Sequence, residues 1–428
     1  MKTKSYETQN LKIAIIGLGY VGLPLAVEFG KYFDTTGYDI NKNRINELKI
    51  GIDITGEISG DELLKSRIKF SYDEADLKSN NIFIITVPTP VNNFKNPDFS
   101  FVEKACKLIA KYIVKGNIVI FESTVYPGAT REICIPILEK FSQLKLNIDF
   151  GVGYSPERIN PGDRSHTIKD IVKLTSGSDE KTLELVDYLY KSIIKAGTFQ
   201  VTSIEVAEAA KVIENTQRDL NIALMNELST IFNKLKISTK EILEAANTKW
   251  NFLNFEPGLV GGHCIGVDPY YLTYKANQIG MKPNLILAGR NINDKMPQLV
   301  VNNFLKLAVK RNLFKFSKKV LLMGITFKEN CPDIRNSKSI EVLEMLITYG
   351  LDIDIYDPVA NCSKISGYKI LKELNSDLEH KYAGIFVTVK HEIFKSLRIK
   401  FLRKLCVPNS IIFDLKSIYS FKDVDLTL

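Results

Sequence analysis

Short apolar runs alternate with helical patterns through the first half of the chain. Lys12–Ile16, Thr35–Asp39, Ile82–Val87, Ile118–Glu122 and Phe150–Tyr154 have the length and apolar content of buried strands. Pro24–Lys31 and Phe101–Lys115 lie between them as amphipathic helices. This alternation predicts βαβ units and a parallel sheet. The texture changes near Thr202. Ser203–Lys236 contains neither Gly nor Pro and carries apolar residues at helical spacing, so it reads as one long helix. Thr202 and Glu205 offer a capping box at its start. More helical segments follow, to about Leu307. A second α/β texture then begins: Lys319-Val-Leu-Leu-Met-Gly324 echoes Lys12-Ile-Ala-Ile-Ile-Gly17, and Ile355-Tyr-Asp357 echoes Gly37-Tyr-Asp39. The expected fold class is α/β, with two Rossmann-like parallel-sheet domains joined by a central helical domain with one long helix. The expected boundaries are 1–202, 203–309 and 310–428.

Length and composition agree with this reading. A chain of 428 residues exceeds what one core usually serves. At 45% hydrophobic and 25% charged residues, it has an ordinary globular composition. The apolar stretch Ile13–Val27 is too short to span a bilayer and is broken by Gly17, Gly19, Gly22 and Pro24. No membrane insertion is expected. The net charge of +8 suits a phosphorylated ligand. No Lys/Arg stripe with interleaved aromatics accompanies it, which argues against nucleic acid. Six scattered cysteines without a CxxC pair fit a reducing, cytoplasmic setting, and four scattered histidines suggest no metal site.

The strongest local signal is Gly17-Leu-Gly19-Tyr-Val-Gly22, after a strand and ahead of a helix, with Asp39 ending the next strand about twenty residues on. Gly17 permits a tight turn, Gly19 admits a pyrophosphate, and Gly22 allows close helix packing. Tyr20 and Val21 complete the turn, and the helix N-terminus holds phosphate. Asp39 favours ribose hydroxyls over a 2′-phosphate and hence NAD, while Arg44 is a mild counter-signal. Thr89, Ser123 and Thr124 follow two further strands and face the same crevice. For Thr89, turn shaping is as good an explanation as function.

The most informative segment is Gly261-Gly262-His263-Cys264-Ile-Gly266-Val-Asp268-Pro269. Paired glycines would let backbone amides approach an anion. Asp268 is the expected N-cap and Pro269 the first residue of a helix. A cysteine beside a helix N-terminus has a lowered thiol pKa, although a small buried hydrophobe is the commoner fate of cysteine. His263 reads as structural. Lys211 and Asn215 share one face of the long helix. Ser155-Pro-Glu157-Arg158 follows a strand and could bring a carboxylate to the crevice.

Taken together, Gly17–Gly22, Ser123-Thr124, Ser155–Arg158, Glu208–Arg218, Gly261–Leu272 and Phe327–Arg335, in this order, resemble the UDP-glucose/GDP-mannose dehydrogenase family. The resemblance spans nearly the whole chain. It implies an NAD domain, a helical dimerisation domain and a nucleotide-sugar domain, and a homodimer or higher homo-oligomer. It implies a four-electron oxidation of a UDP-sugar with two NAD, through a thiohemiacetal and thioester on Cys264. Lys211 and Asn215 would steady the oxyanion. Asp268 and a water held by Thr124 would assist proton transfer, and Glu157 would serve hydrolysis. Glu157, Arg158, Lys211, Asn215, Phe255, Gly258, Gly261 and Lys328 become the substrate-binding candidates. Arg335 and Asp333 would link the sugar-nucleotide domain to the active site, with Arg335 counted among the cofactor-binding residues.

Departures narrow the substrate. UDP-glucose members carry a second Glu where this chain has Pro161, and Ser where it has His263. The run from His263 to Leu272 and the segment Thr248–Phe252 look like the branch acting on UDP-N-acetylhexosamines, UDP-GlcNAc or UDP-GalNAc, for surface polysaccharide. The alternatives are a UDP-glucose 6-dehydrogenase, a non-redox isomerase with tightly held NAD, and a non-catalytic NAD or sugar-nucleotide sensor.

Overall fold

The computed structural model describes residues 11–92, 94–158, 167–262 and 265–428. Their contacts divide the chain into two compact units: Met1–Glu214 with Tyr270–Lys282, and Asn215–Pro269 with Pro283–Leu428. The first unit is built on β1 (Lys12–Ile16), β2 (Asp34–Tyr38), β3 (Ile68–Ser71), β4 (Ile82–Ile85), β5 (Ile118–Phe121), β6 (Gly151–Tyr154), β7 (Lys173–Gly177) and β8 (Thr198–Gln200). These form one sheet in the order β3-β2-β1-β4-β5-β6-β7-β8. All neighbours pair in parallel except β6 with β7. The order 3-2-1-4-5-6 is that of a dinucleotide-binding sheet, with its switch point between β1 and β4. Its central strands are apolar because helices cover both faces; Ile13, Ile15, Ile82, Ile84 and Ile120 are almost wholly buried.

The second unit carries β9 (Lys319–Met323), β10 (Asp352–Tyr356), β11 (Lys364–Ile365), β12 (Tyr368–Leu371), β13 (Tyr382–Val387), β14 (Cys406–Asp414) and β15 (Leu426–Thr427). They are ordered β11-β12-β10-β9-β13-β14-β15. Only β11 and β12 pair antiparallel. Helices Ile204–Leu235, Thr239–Ala246, Asp268–Gln278 and Asn284–Lys310 fill the stretch of chain between the two sheets. The long helix matches the Gly- and Pro-free segment to within a residue at each end. Its cap differs from expectation: the Ser203 hydroxyl accepts the Val206 N–H at 3.3 Å, so Ser203, not Thr202, is the N-cap.

The sequence echo between the halves is a structural one. The Gly17 N–H donates to the Tyr38 carbonyl (2.8 Å), and the Gly324 N–H to that of Tyr356 (3.0 Å). The Leu18 N–H donates to the Asp39 carboxylate at 2.9 Å, and the Ile325 N–H to that of Asp357 at 2.7 Å. Thr86 and Thr388 donate from their hydroxyls to the Gly17 and Gly324 carbonyls. The turns differ in what lies above them. In the second unit Thr326 replaces the exposed Gly19, and its hydroxyl lies 3.1 Å from Nε2 of fully buried His391. Nδ1 of that ring accepts the Asn330 N–H at 2.9 Å. Asp357, also fully buried, accepts backbone N–H groups from Ile325, Val359 and Ala360. The second copy of the turn is closed by protein, whereas the first is open.

Candidate functional site

In the first unit, the turn from Gly17 to Gly22 joins β1 to helix Gly22–Phe29, whose N-terminus has no side-chain cap. Gly17 has φ of +97°, a conformation that favours glycine. A Cβ on Gly22 would lie 1.8 Å from the Gly17 carbonyl oxygen, so only glycine fits. A Cβ on Gly19 would meet nothing within 4 Å among the described residues, which leaves its exposed backbone open to a ligand. Asp39 stands half-exposed beside it. Uncapped amides, an open glycine and an acid at the end of β2 fit the pyrophosphate and ribose of a dinucleotide. Tyr20 and Val21 lie in the same turn. Arg44 is buried, donates from Nε to the Leu18 carbonyl (3.1 Å) and pairs through Nη2 with Asp53 (2.7 Å). Its Nη1 is buried and has no hydrogen-bond partner among the described residues. The guanidinium is thus held by protein on one side, which weakens the counter-signal for a 2′-phosphate.

Thr89 and Ser123 act as latches between strand ends. The Ser123 hydroxyl donates to the Val87 carbonyl and that of Thr89 to the Thr124 carbonyl, both at 2.6 Å. Thr124 remains half-exposed. The loop after it is held from the long helix: Glu208 is buried and accepts the N–H of Gly128 (2.5 Å) and of Thr130 (2.9 Å). Burial pushes the Glu208 carboxyl up to about 7, against those hydrogen bonds. Glu157 is 6% exposed. Its Oε1 accepts the Arg158 N–H and its Oε2 meets Lys173 Nζ, both at 2.6 Å. Arg158 is ion-paired with Glu214 of the long helix. Lys211 on that helix is buried.

In the second unit, the Asn215 amide donates from Nδ2 to Asp268 Oδ2 at 2.5 Å, with the two residues 6% and 2% exposed. The helix beginning at Asp268 starts one residue earlier than expected, so Asp268 is its first residue rather than its cap. His263 and Cys264 lie outside the described residues, as does Pro161. The glycines before them have a role different from the one expected. A Cβ on Gly261 would lie 2.5 Å from the Asn336 carbonyl oxygen, and one on Gly262 2.7 Å from the Phe327 ring. The Gly262 N–H donates to Asn336 at 3.0 Å, so that amide is spent on protein rather than on an anion. Gly258 is clamped on both sides by Asn226, whose Oδ1 accepts its N–H (2.8 Å) and whose Nδ2 donates to its carbonyl (3.0 Å). Phe255 and Lys328 are half-buried. Arg335 is largely exposed and paired with the nearly buried Asp333 of its own loop at 2.6 Å.

Sequence reasoning missed Asn226, Lys173 and a polar cleft in the second unit. Lys240, Asn247, Asn254, Glu256, Lys390 and Lys416 line that cleft. Lys390 and Lys416 follow β13 and β14, the carboxyl ends at which ligands of such sheets bind. Lysines just past strand ends were a usable signal. Asn226 carried none, being one polar residue in a long helix. Among the described residues, no group of three His, Cys, Asp or Glu side chains could hold a metal, and no helix is long and apolar enough to cross a membrane.

A Rossmann sheet with an open glycine turn and an acid at the end of β2 defines a dinucleotide-binding protein. The chain belongs to the UDP-glucose/GDP-mannose dehydrogenase family: residues 11–194 match its NAD binding domain, 205–295 its central domain and 321–421 its UDP binding domain. It is 52% identical over 421 residues to UDP-N-acetyl-D-glucosamine 6-dehydrogenase of Pseudomonas aeruginosa, across 98% of this chain and 100% of that protein. It is 50% identical to the enzyme of the same name from Salmonella typhi, across 99% and 100%. The solved UDP-D-ManNAc dehydrogenase of Pyrococcus horikoshii superposes with a TM-score of 0.86 at 31% identity, covering 96% of each chain. This protein is therefore an NAD-dependent nucleotide-sugar dehydrogenase.

Proposed function

We propose that the chain oxidises the C6 hydroxyl of a UDP-N-acetylhexosamine to the uronic acid, for surface polysaccharide synthesis. The substrate class rests on the relatives that share half its residues and are named for UDP-N-acetyl-D-glucosamine. The observation that carries the mechanism is the buried Asn215–Asp268 contact, which joins the candidate oxyanion donor to the candidate acid–base at the helix start after Cys264.

NAD, held by Gly17–Gly22 and Asp39, supplies the hydride acceptor for both oxidations. Asp268 and a water held by Thr124 take the proton of the C6 hydroxyl as it becomes an aldehyde. The Cys264 thiolate adds to the aldehyde carbon and forms a thiohemiacetal. The Lys211 ammonium and the second N–H of the Asn215 amide stabilise its oxyanion. Oxidation of the thiohemiacetal leaves a thioester. Glu157 then takes a proton from water as its oxygen adds to the thioester carbon. The C–S bond breaks, its electron pair leaves on Cys264 sulfur, and the acid ionises. Arg158, Phe255, Gly258, Gly261 and Lys328 would contact the sugar nucleotide, with Lys390 and Lys416 supplying charge for its diphosphate. Arg335 would serve the cofactor.

The matched family segments support functional regions 1–202, 203–309 and 310–428. Val206 and Ile213, and Leu224 and Ile231, are exposed apolar pairs spaced by seven on the long helix, which supports a homodimer. A reducing, NAD-containing cytoplasm fits the free thiols among the described residues. The test is NADH release from UDP-GlcNAc, UDP-GalNAc, UDP-ManNAc and UDP-Glc. Two NADH per N-acetylhexosamine, with no acid formed by Cys264→Ala, is the expected result. Turnover of UDP-Glc alone would overturn the substrate class. Binding of NAD without turnover of any of the four would overturn the activity.

A further inference from the structure

The ends of β5 and β6 and the start of β7 lie side by side, and charged side chains from all three meet inside the protein. Lys173, the first residue of β7, places Nζ 2.8 Å from Glu122 Oε2 and 2.6 Å from Glu157 Oε2. Glu122 follows β5 and Glu157 follows β6. Tyr190, on helix Glu180–Ile193, donates its hydroxyl to the other oxygen of Glu122, and its ring centroid lies 5.1 Å from the Lys173 ammonium. The side chains of Lys173, Glu122 and Glu157 are 3%, 0% and 6% exposed. Ser155 turns its hydroxyl to the Leu174 carbonyl (2.7 Å), and the Arg158–Glu214 pair flanks Glu157.

Two buried carboxylates share one ammonium. An arrangement of this kind costs several kcal/mol of desolvation per ion, and apolar residues of like volume would usually hold strands together as well. What such residues cannot do is hold a carboxylate oxygen in one place. Among these groups only Glu157 also belongs to the reaction assigned above. We propose that Lys173 is a positioning residue for Glu157, holding its carboxylate aimed for thioester hydrolysis, and that Glu122 competes for the same ammonium.

Burial, reinforced by the neighbouring Glu157 and opposed by Lys173, pushes the Glu122 carboxyl up to about 7. Burial alone would discharge Lys173, but the two carboxylates outweigh it and hold the ammonium protonated above its ordinary range. Below about pH 7 Glu122 is therefore protonated and does not compete for the Lys173 ammonium. Above it the carboxylate forms, and the Tyr190 hydroxyl, which donates to it, favours that charged form.

The proposal rests on Glu157 serving hydrolysis, and its test keeps the two apart. Decay of the Cys264 thioester is followed by mass after acid quench, across pH, in the full-length enzyme. Glu122→Gln keeps an acceptor for Lys173 and removes the competing charge that forms above about pH 7. Its thioester decay should match the wild type below that pH and exceed it above, with KM for the sugar nucleotide unchanged. Lys173→Met, which leaves Glu157 Oε2 without the ammonium that aims it, should slow thioester decay about tenfold with KM unchanged. Should that variant fail to fold with two carboxylates unpaired, the double variant Glu122→Gln/Lys173→Met carries the same test. Thioester decay at the wild-type rate in Lys173→Met or in the double variant, while Glu157→Gln stalls as the thioester, would overturn the role of Lys173 alone, and a Glu122→Gln profile that superposes on the wild type above about pH 7 would overturn the competition by Glu122. Thioester decay at the wild-type rate in Glu157→Gln would overturn the role of Glu157, and that of Lys173 with it.

Discussion

Replacing Gly19 by alanine separates what the glycine turn does for the fold from what it does for NAD. The residue is exposed, lies outside the left-handed region, and among the described residues has no atom within 4 Å of where a Cβ would sit. The apo protein should therefore lose no stability, and the stiffer unfolded chain could add about 0.4–1 kcal/mol. The ligand is affected differently. A methyl group at the pyrophosphate contact pushes the phosphates off the backbone amides, and hydrogen bonds to charged groups contribute about 1.5–3 kcal/mol each. Losing the equivalent of one or two, about 2.7 kcal/mol, weakens Kd about 100-fold. The assay is urea unfolding without NAD and with NAD at about 100 times the wild-type Kd. The wild type should gain about 2.7 kcal/mol from the ligand and Gly19→Ala about 0.4 kcal/mol. Gly22→Ala is the contrasting control: its Cβ would fall 1.8 Å from the Gly17 carbonyl oxygen, so the apo protein itself should be destabilised, by about 3 kcal/mol. Unchanged NAD stabilisation in Gly19→Ala would show that the pyrophosphate does not approach there. A loss of apo stability above about 1 kcal/mol would refute the claim that the position is open.

Asn226→Ala strips both hydrogen bonds from the Gly258 backbone and one from Asn293 Oδ1, all buried. It should cost about 3 kcal/mol in urea unfolding and raise KM for the sugar nucleotide; a neutral variant would mean the clamp is dispensable. Glu208 predicts a pH dependence. Its carboxyl titrates near 4.5 when unfolded and is raised to about 7 when folded, so between these values the native state binds the extra proton. Stability should therefore fall as pH rises through that window, by up to about 1.4 kcal/mol per unit from this one group, and the whole penalty is present above it. Glu122 acts in the same direction. In urea midpoints from pH 5 to 8, Glu208→Gln should fall less steeply than the wild type; equal slopes would exclude Glu208 as the source.

The parts of this protein legible in its sequence are those whose physics is local. The cradle could be read because Gly17, Gly19 and Gly22 each answer a steric demand within a single turn, and Asp39 ends the very next strand. The long helix could be read because apolar periodicity uninterrupted by Gly or Pro has one regular solution. Local reading failed where a residue answers to a distant chain segment. Gly261 and Gly262 look like an anion loop, yet their lack of a side chain is required by Asn336 and Phe327. The second copy of the turn has the same strand, glycine and aspartate as the first, yet it is closed by His391, far along the chain from Gly324. Lys173 reads as an unremarkable strand lysine until β5, β6 and β7 are set side by side and Glu122 and Glu157 reach the same ammonium. Periodicity and glycine spacing encode which elements form. Which side chains share a buried charge depends on strand order and register, set by packing across the sheet, and only the tertiary structure decides that.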